Sequence, residues 1–352
     1  MRYFWLLIMA FFLPNLAKAD CLKVADDPQI TMRFDRLEAL KAINFERKEV
    51  FQALWDTSLY ETMGCWATPV GNFDAQTLSV GVLQWNYGQN SLQQLMNGYK
   101  AQFPDEASFK AEVAQLMPNY GAVAFADDCL ITPTPQSCKD KILAAHTPDN
   151  KLNPTIAAEY EALFNSLKMR QTQVDVFSDY LIEMTPKFKA LFGDDITPLK
   201  VKWGIDVAIQ QGFLKYNDQN YFLKPDDVTA INKIYSSQNV EKRKAAQYSI
   251  IRWYSGLCGG IYQGVNAAQC NYNIKSWCAV IKHGLSDEQA QLLNFTYVRS
   301  RIAQGQSGRW QANAFARRTK IALNTGWVGK EKDGLPKGIH NTWKCNKWLV
   351  EE

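Results

Sequence analysis

"YETMGCWATPVGNFDAQTLSVGVLQWNYG", from Tyr60 to Gly88, changes character twice within one short span. It begins as the tail of an apolar-periodic segment, turns polar and glycine-bearing, and ends in Trp, Asn, Tyr and Gly. Upstream, Leu37, Leu40, Ile43, Phe51, Leu54 and Leu59 recur at helical spacing, which predicts one or two helices ending near Gly64. From Gly71 to Gly88 the chain is short of apolar residues apart from Val80, Val82 and Trp85 and their neighbours. That pattern predicts a small hairpin or irregular loop. "NSLQQLMNGYKAQF" then restarts a helix, with Asn90 as its expected cap.

Outward from this stretch the chain is helical. "TIAAEYEALFNSLKMRQTQVDVFSDYLIEM" reads as one long amphipathic helix, and "PLKVKWGIDVAIQQGFL" as another, closed by Gly212. "DDVTAINKIYSSQNVEKRKAAQYSIIRWYSGL" continues the pattern. "SDEQAQLLNFTYVRSRIAQG" has a cap at Ser286 and acids in its first turn, where the helix dipole favours them. "SGRWQANAFARRTKIALNTGW" predicts a last helix ending near Gly326. The expected class is mainly α (α+β), with one small β-hairpin insert near the front. Residues 20–352 are expected to form one region of two lobes, 20–150 and 151–352, with a cleft between them.

Residues 1–19, "MRYFWLLIMAFFLPNLAKA", have a positive start at Arg2, an apolar run and a small-x-small site at Ala17-Lys18-Ala19. This is the pattern of a cleaved secretory signal, so the mature chain is expected in the periplasm or outside the cell. No later stretch reaches the roughly 18 apolar residues of a membrane span. All eight cysteines follow the signal, and an even count in an exported chain favours disulfides. Cys129 and Cys138 flank "LITPTPQS" and are the expected local bridge. Cys258, Cys270 and Cys278 lack the spacing of a zinc site, and the only histidines are His146, His283 and His340. Neither a metal nor a cofactor is expected.

Acidic residues outnumber basic ones between Asp20 and Asn150, and the balance reverses from Ala230 to the end. A basic lobe suits an anionic polymer as partner. Export and the lack of a nucleic-acid fold motif argue against nucleic acid.

Two carboxylates lie just ahead of "GVLQWN". Glu61 stands where a helix should end, beside Met63, Cys65 and Trp66, and Asp74 follows on the predicted loop. Cleaving a glycosidic bond needs an acid for the leaving oxygen and a second group for the charge at the sugar. An apolar pocket around Glu61 would keep it protonated. Ser79, Gln84 and Asn86 offer polar groups to sugar hydroxyls, and Trp85 and Tyr87 offer flat faces to sugar rings. The plainer readings are a solvated helix-end glutamate and core aromatics.

The pattern "E…GN.D…SVGVLQWN.G" resembles the front of the lysozyme-like superfamily, which includes goose-type lysozymes and soluble lytic transglycosylases. The resemblance implies a lysozyme-like fold, with Glu61 as catalytic acid and Asp74 as the second carboxylate. The wider pattern is also similar to chitosanase-like peptidoglycan hydrolases, some of them antibacterial effectors. "WGIDVAIQQGFL", with Asp206, Gln210 and Gln211, resembles their central helix. "RWQANAFARRTKIALNTGWV", with Trp310, Asn313, Arg317 and Arg318, resembles their C-terminal helix. Asp206, Gln210, Trp310 and Arg317 are thereby expected to bind substrate. The plainer readings pair Asp206 with Lys202 and leave Arg317 and Arg318 at the surface. No match stands for the chitosanases' second carboxylate with its following Thr-x-G.

The reading is an exported hydrolase of peptidoglycan or a related amino-sugar polymer. Rivals are a chitosanase, a lytic transglycosylase using Glu61 alone, and a secreted glycan-binding protein on an inactive lysozyme scaffold. An inhibitor or immunity protein is a further partner that the antibacterial reading allows.

Overall fold

The structure, a computed structural model, describes residues 21–25, 27–72, 75–235, 239–258, 265–303 and 308–339. The signal segment, Asp74 and Cys345 lie outside them. The chain is mainly helical, with three two-stranded antiparallel hairpins among the described residues. The front consists of α1 (Phe34–Leu40), a 3₁₀ turn (Lys41–Ile43), α2 (Arg47–Glu61) and the hairpin β1 (Ser79–Val80) and β2 (Trp85–Asn86). Five helices follow: α3 (Leu92–Lys100), α4 (Glu106–Leu116), α5 (Gly121–Ala124), α6 (Asp127–Leu130) and α7 (Gln136–Leu143). The middle holds α8 (Pro154–Asn165), α9 (Leu167–Phe192), α10 (Pro198–Gln211) and the hairpin β3 (Leu214–Tyr216) and β4 (Gln219–Tyr221). The last part is α11 (Pro225–Tyr235), α12 (Val240–Cys258), α13 (Ala267–His283), α14 (Asp287–Arg301), α15 (Gly308–Leu323) and the hairpin β5 (Gly326–Val328) and β6 (Glu331–Asp333).

Helix α9 is the axis of the first apolar core. Met169, Gln173, Phe177, Leu181, Met184, Phe188 and Phe192 are buried along one face at spacings of three and four. Helices α1, α2, α3, α8 and α10 pack against it. The predicted helix from Thr155 breaks at Ser166, which is extended (φ −64°, ψ 148°) and whose hydroxyl accepts from Met169 N–H. One serine thus ends α8 and caps α9, a local competition that apolar periodicity does not reveal. Asn90 is not the cap of α3. It is left-handed (φ 63°), and its side chain accepts from Thr134 N–H (2.7 Å), so Ser91 precedes the helix instead. Ser286 caps α14 as expected, in a capping box with Gln289.

The first core gathers residues from both sides of residue 150, from Val24 to Ala322. A second core lies within α12–α15 and β5, around Tyr254, Trp277, Leu293 and Phe315. Tyr60 packs against both. The cores therefore meet beside the C-terminal end of α2, and the division of apolar packing does not fall at residue 150.

Disulfides join Cys21–Cys65, Cys129–Cys138 and Cys258–Cys270, so the bridge expected across "LITPTPQS" forms. No helix of the described residues is long and apolar enough to cross a membrane.

Helix α2 stops abruptly. Thr62 Oγ1 donates to Cys65 O (2.9 Å), and Met63 and Gly64 turn left-handed (φ 59° and 81°). A Cβ on Gly64 would stand 2.6 Å from the Trp55 ring. Gly193 also has a positive φ (68°, with ψ −148°), but a Cβ there would meet nothing within 4 Å. Gly193→Ala should therefore cost only the backbone penalty, about 1–3 kcal/mol. Gly64→Ala should add steric conflict and reach about 2–4 kcal/mol. Urea unfolding of the two variants checks the difference, and equal losses would contradict it.

Candidate active site

Four ionisable side chains from three distant segments meet at the end of α2. Asp206, on α10, has only 2% of its side chain exposed. Its Oδ2 accepts from Arg317 Nε (2.8 Å) and its Oδ1 from Arg318 Nε (3.1 Å). Arg317 Nη2 reaches on to Glu61 Oε1 (2.7 Å). The order is Glu61, Arg317, Asp206, Arg318, alternating in sign. With all four ionised the formal charges cancel, which is the condition for keeping such groups out of water.

The amides of α10 complete the cluster. Arg318 donates to Gln210 Oε1 (2.9 Å) and to Gln211 Oε1, and Gln210 Nε2 donates to Asn313 Oδ1 (2.8 Å). Arg299, almost wholly buried on α14, donates to the carbonyls of Gln211 and Gly212. The C-terminal end of a helix favours such a cation. Burial alone would pull Arg317 down, but Asp206 first and Glu61 next outweigh it and hold the guanidinium above the usual arginine range. Burial wins for Arg318, and repulsion from Arg299 and Arg317 adds to it, so that group lies below its usual range.

Glu61 is the exposed end of this chain, with 19% of its side chain accessible. Its Oε1 is held by Arg317, and its Oε2 accepts no hydrogen bond from the described residues. The expected apolar pocket is replaced by an ion pair on one side. Tyr60 lies beneath, with Arg317 Cζ 4.9 Å and Lys320 Nζ 5.5 Å from its ring centre. Burial, and then Asp206, push the Tyr60 phenol above its usual range, so it stays neutral.

The structure brings together Glu61, Asp206, Gln210 and Arg317 of the expected site residues. Arg317 and Arg318 are not a surface pair. Lys202 pairs with Asp56 (2.9 Å), not with Asp206. The arginines are committed to protein partners, and Arg317 has its Nη1 alone without a hydrogen bond among the described residues.

The hairpin residues divide differently. Tyr87 is fully buried and its hydroxyl donates to Ala124 O (3.4 Å), so the ring offers no face to a sugar. Trp85 is also buried. Asn86 spends its side chain on the turn, accepting from Gln89 N–H (2.7 Å) and donating to Gln84 O (3.3 Å). Ser79 is buried and bridges to Val70 through its backbone. Gln84 donates its amide to Thr68 O (2.9 Å) and keeps partial exposure. Trp310 is half-buried in the first turn of α15. Asp74 lies outside the described residues. Tyr60, Arg299 and Lys320 were not singled out by sequence, and only Tyr60, the neighbour of Glu61, stood in the stretch that suggested a site.

Backbone strain concentrates here too. Met63, Ala75, Thr77, Gln84 and Asn90 are non-glycine residues with positive φ, all within the segment that follows Glu61. At 72° Thr77 is the least expected, because a β-branched side chain crowds that conformation. Thr77 N–H donates to Asn72 Oδ1 (2.8 Å), which holds it there. Such clusters are common at functional sites.

Asp206→Ala would leave two buried guanidiniums facing each other. The expected loss is about 3–5 kcal/mol, the usual cost of removing one partner from a buried ion pair. Denaturant unfolding checks it, and a loss below about 1 kcal/mol would mean the cluster is open to water. Comparison with protein-family models, with curated proteins and with solved structures finds no match for this chain.

Proposed function

We propose that this chain is an exported glycosidase of the lysozyme-like superfamily that cleaves bonds between amino sugars of peptidoglycan. The observation that carries the reading is the state of Glu61. It ends a helix, one oxygen is fixed by Arg317, and the other accepts no hydrogen bond from the described residues and lies at a partly exposed edge. That is the arrangement a proton donor needs: orientation from one side and access from the other.

Glu61 protonates the leaving oxygen through Oε2. Arg317 and Asp206 are positioning residues, since they touch Glu61 or each other rather than the reacting atoms. The open oxygen faces the substrate while Oε1 still accepts from Arg317. Asp206 fixes Arg317 from its other side and so holds the guanidinium in place against Glu61. Asp74 is assigned the second role, steadying the oxocarbenium-like transition state or activating water.

A digest of purified peptidoglycan, read by mass spectrometry, tests the reading. Wild type should release reducing muropeptides, and Glu61→Gln should lose at least about a hundredfold in rate, the scale of a general acid. Arg317→Ala should lower the rate through kcat. Anhydro products would instead assign lytic transglycosylase chemistry and remove Asp74 from the mechanism. Turnover of chitosan alone would assign a chitosanase, and binding without turnover a glycan-binding protein.

A further inference from the structure

The β5–β6 hairpin carries an aromatic corner that the Glu61 chemistry does not use. Trp327, on β5, and Tyr272, on α13, stand nearly perpendicular, at 84° with ring centres 6.2 Å apart. Lys332, on β6, places its ammonium 4.4 Å from the Tyr272 ring centre and 4.8 Å from that of Trp327. Both rings are partly exposed and Lys332 is exposed. Two rings and a cation thus form a fixed, half-open angle at the surface.

The corner is rigidly built. Asn273 accepts from Trp327 N–H (2.5 Å) and donates to its carbonyl (3.0 Å). Gln269 donates to Gly329 O (2.8 Å), and the Tyr272 hydroxyl to Asp333 O (2.7 Å). Trp327 Nε1 donates to Gly329 O (3.0 Å). Three side chains of one helix face therefore hold the hairpin, and little ordering cost remains for a ligand.

Its surroundings are basic. Lys275, one turn along α13 from Tyr272, Lys330, in the turn between β5 and β6, and Lys332 are all exposed, and none pairs with a carboxylate of the described residues. The nearby Asp333 is already engaged by Lys320 (3.0 Å). Lys320 also ties the corner to the candidate site, because its ammonium lies over the Tyr60 ring, next to Glu61.

Half-exposed indole and phenol rings suit the apolar face of a sugar. An ammonium held between them, with lysines around it, suits a carboxylate. We infer that this corner is a second glycan-binding site, which takes a carboxylate-bearing amino-sugar chain with a sugar face on Trp327 and a carboxylate at Lys332. The inference rests on the amino-sugar reading for its ligand class, but not on turnover. A chain engaged here and at Glu61 would be held at two points, which keeps a polymeric substrate bound between cleavages.

The test is cosedimentation of the full chain with purified peptidoglycan sacculi, in a Glu61→Gln background so that nothing is cleaved. Trp327→Ala and Lys332→Glu should each weaken binding about tenfold. Chitin, which has the sugars without the carboxylates, should bind more weakly than sacculi and be indifferent to Lys332→Glu. Thermal melting controls for folding, and the exposed Lys332→Glu should leave it unchanged. Unaltered sacculus binding by both variants, or no binding by the parent, would overturn the inference. Equal loss on chitin for Lys332→Glu would overturn the carboxylate assignment. A wild-type chain that binds through Trp327 but never cleaves would refute the glycosidase reading and leave this site standing.

Discussion

The sharing of one guanidinium between two carboxylates governs the geometry around Glu61. Arg317 bonds to Asp206 through Nε and to Glu61 through Nη2, and this fork can do both only if α2, α10 and α15 meet at one point. The partners are 111 and 256 residues from Arg317 in sequence. A buried charge left without its partner is costly, so the three helix segments are held in mutual register by charge balance as much as by apolar packing. Arg318 then donates to the other oxygen of Asp206, and the two glutamine oxygens accept from its Nη1 and Nη2, so both oxygens of Asp206 and all three nitrogens of Arg318 are engaged.

The seam between the two apolar cores gives this cluster its place. Each core alone is ordinary helix packing. Where they meet, neither can cover the other fully, and Tyr60 packs against both while Glu61 emerges beside it. The segment after Glu61 then turns through several left-handed residues and is tied back by the Cys21–Cys65 disulfide and by Thr62, Asn72 and Gln84. A loop pinned at this many points leaves the backbone beside Glu61 little freedom to move.

The residues around Glu61 changed meaning once their contacts were known. Asn86 and Gln84 look like sugar ligands in sequence, yet their amides hold the turn, and the rings of Trp85 and Tyr87 fill the core. Partly exposed rings stand together instead at Trp327, on the last hairpin, and Tyr272, on α13. Composition could not separate these cases. A tryptophan in a short half-apolar strand has the same letters whether its ring faces the core or the solvent, and a two-residue strand is too short for alternation to decide.

Local patterns were readable because local physics makes them. The helices of α10, α14 and α15, the cap at Ser286, the stop of α2 near Gly64 and the Cys129–Cys138 bridge each depend on residues within a few positions of one another. The break at Ser166 and the role of Asn90 escaped for the same reason in reverse, since a polar side chain there chose one of two local partners of similar worth. The pairing of Glu61 with Arg317, the burial of Arg318 and the double packing of Tyr60 had no local signal at all. An arginine pair on a helix has one sequence whether it faces water or a buried aspartate. Only the convergence of α2, α10 and α15 decided which, because the free energy of a buried charge is set by what surrounds it in space.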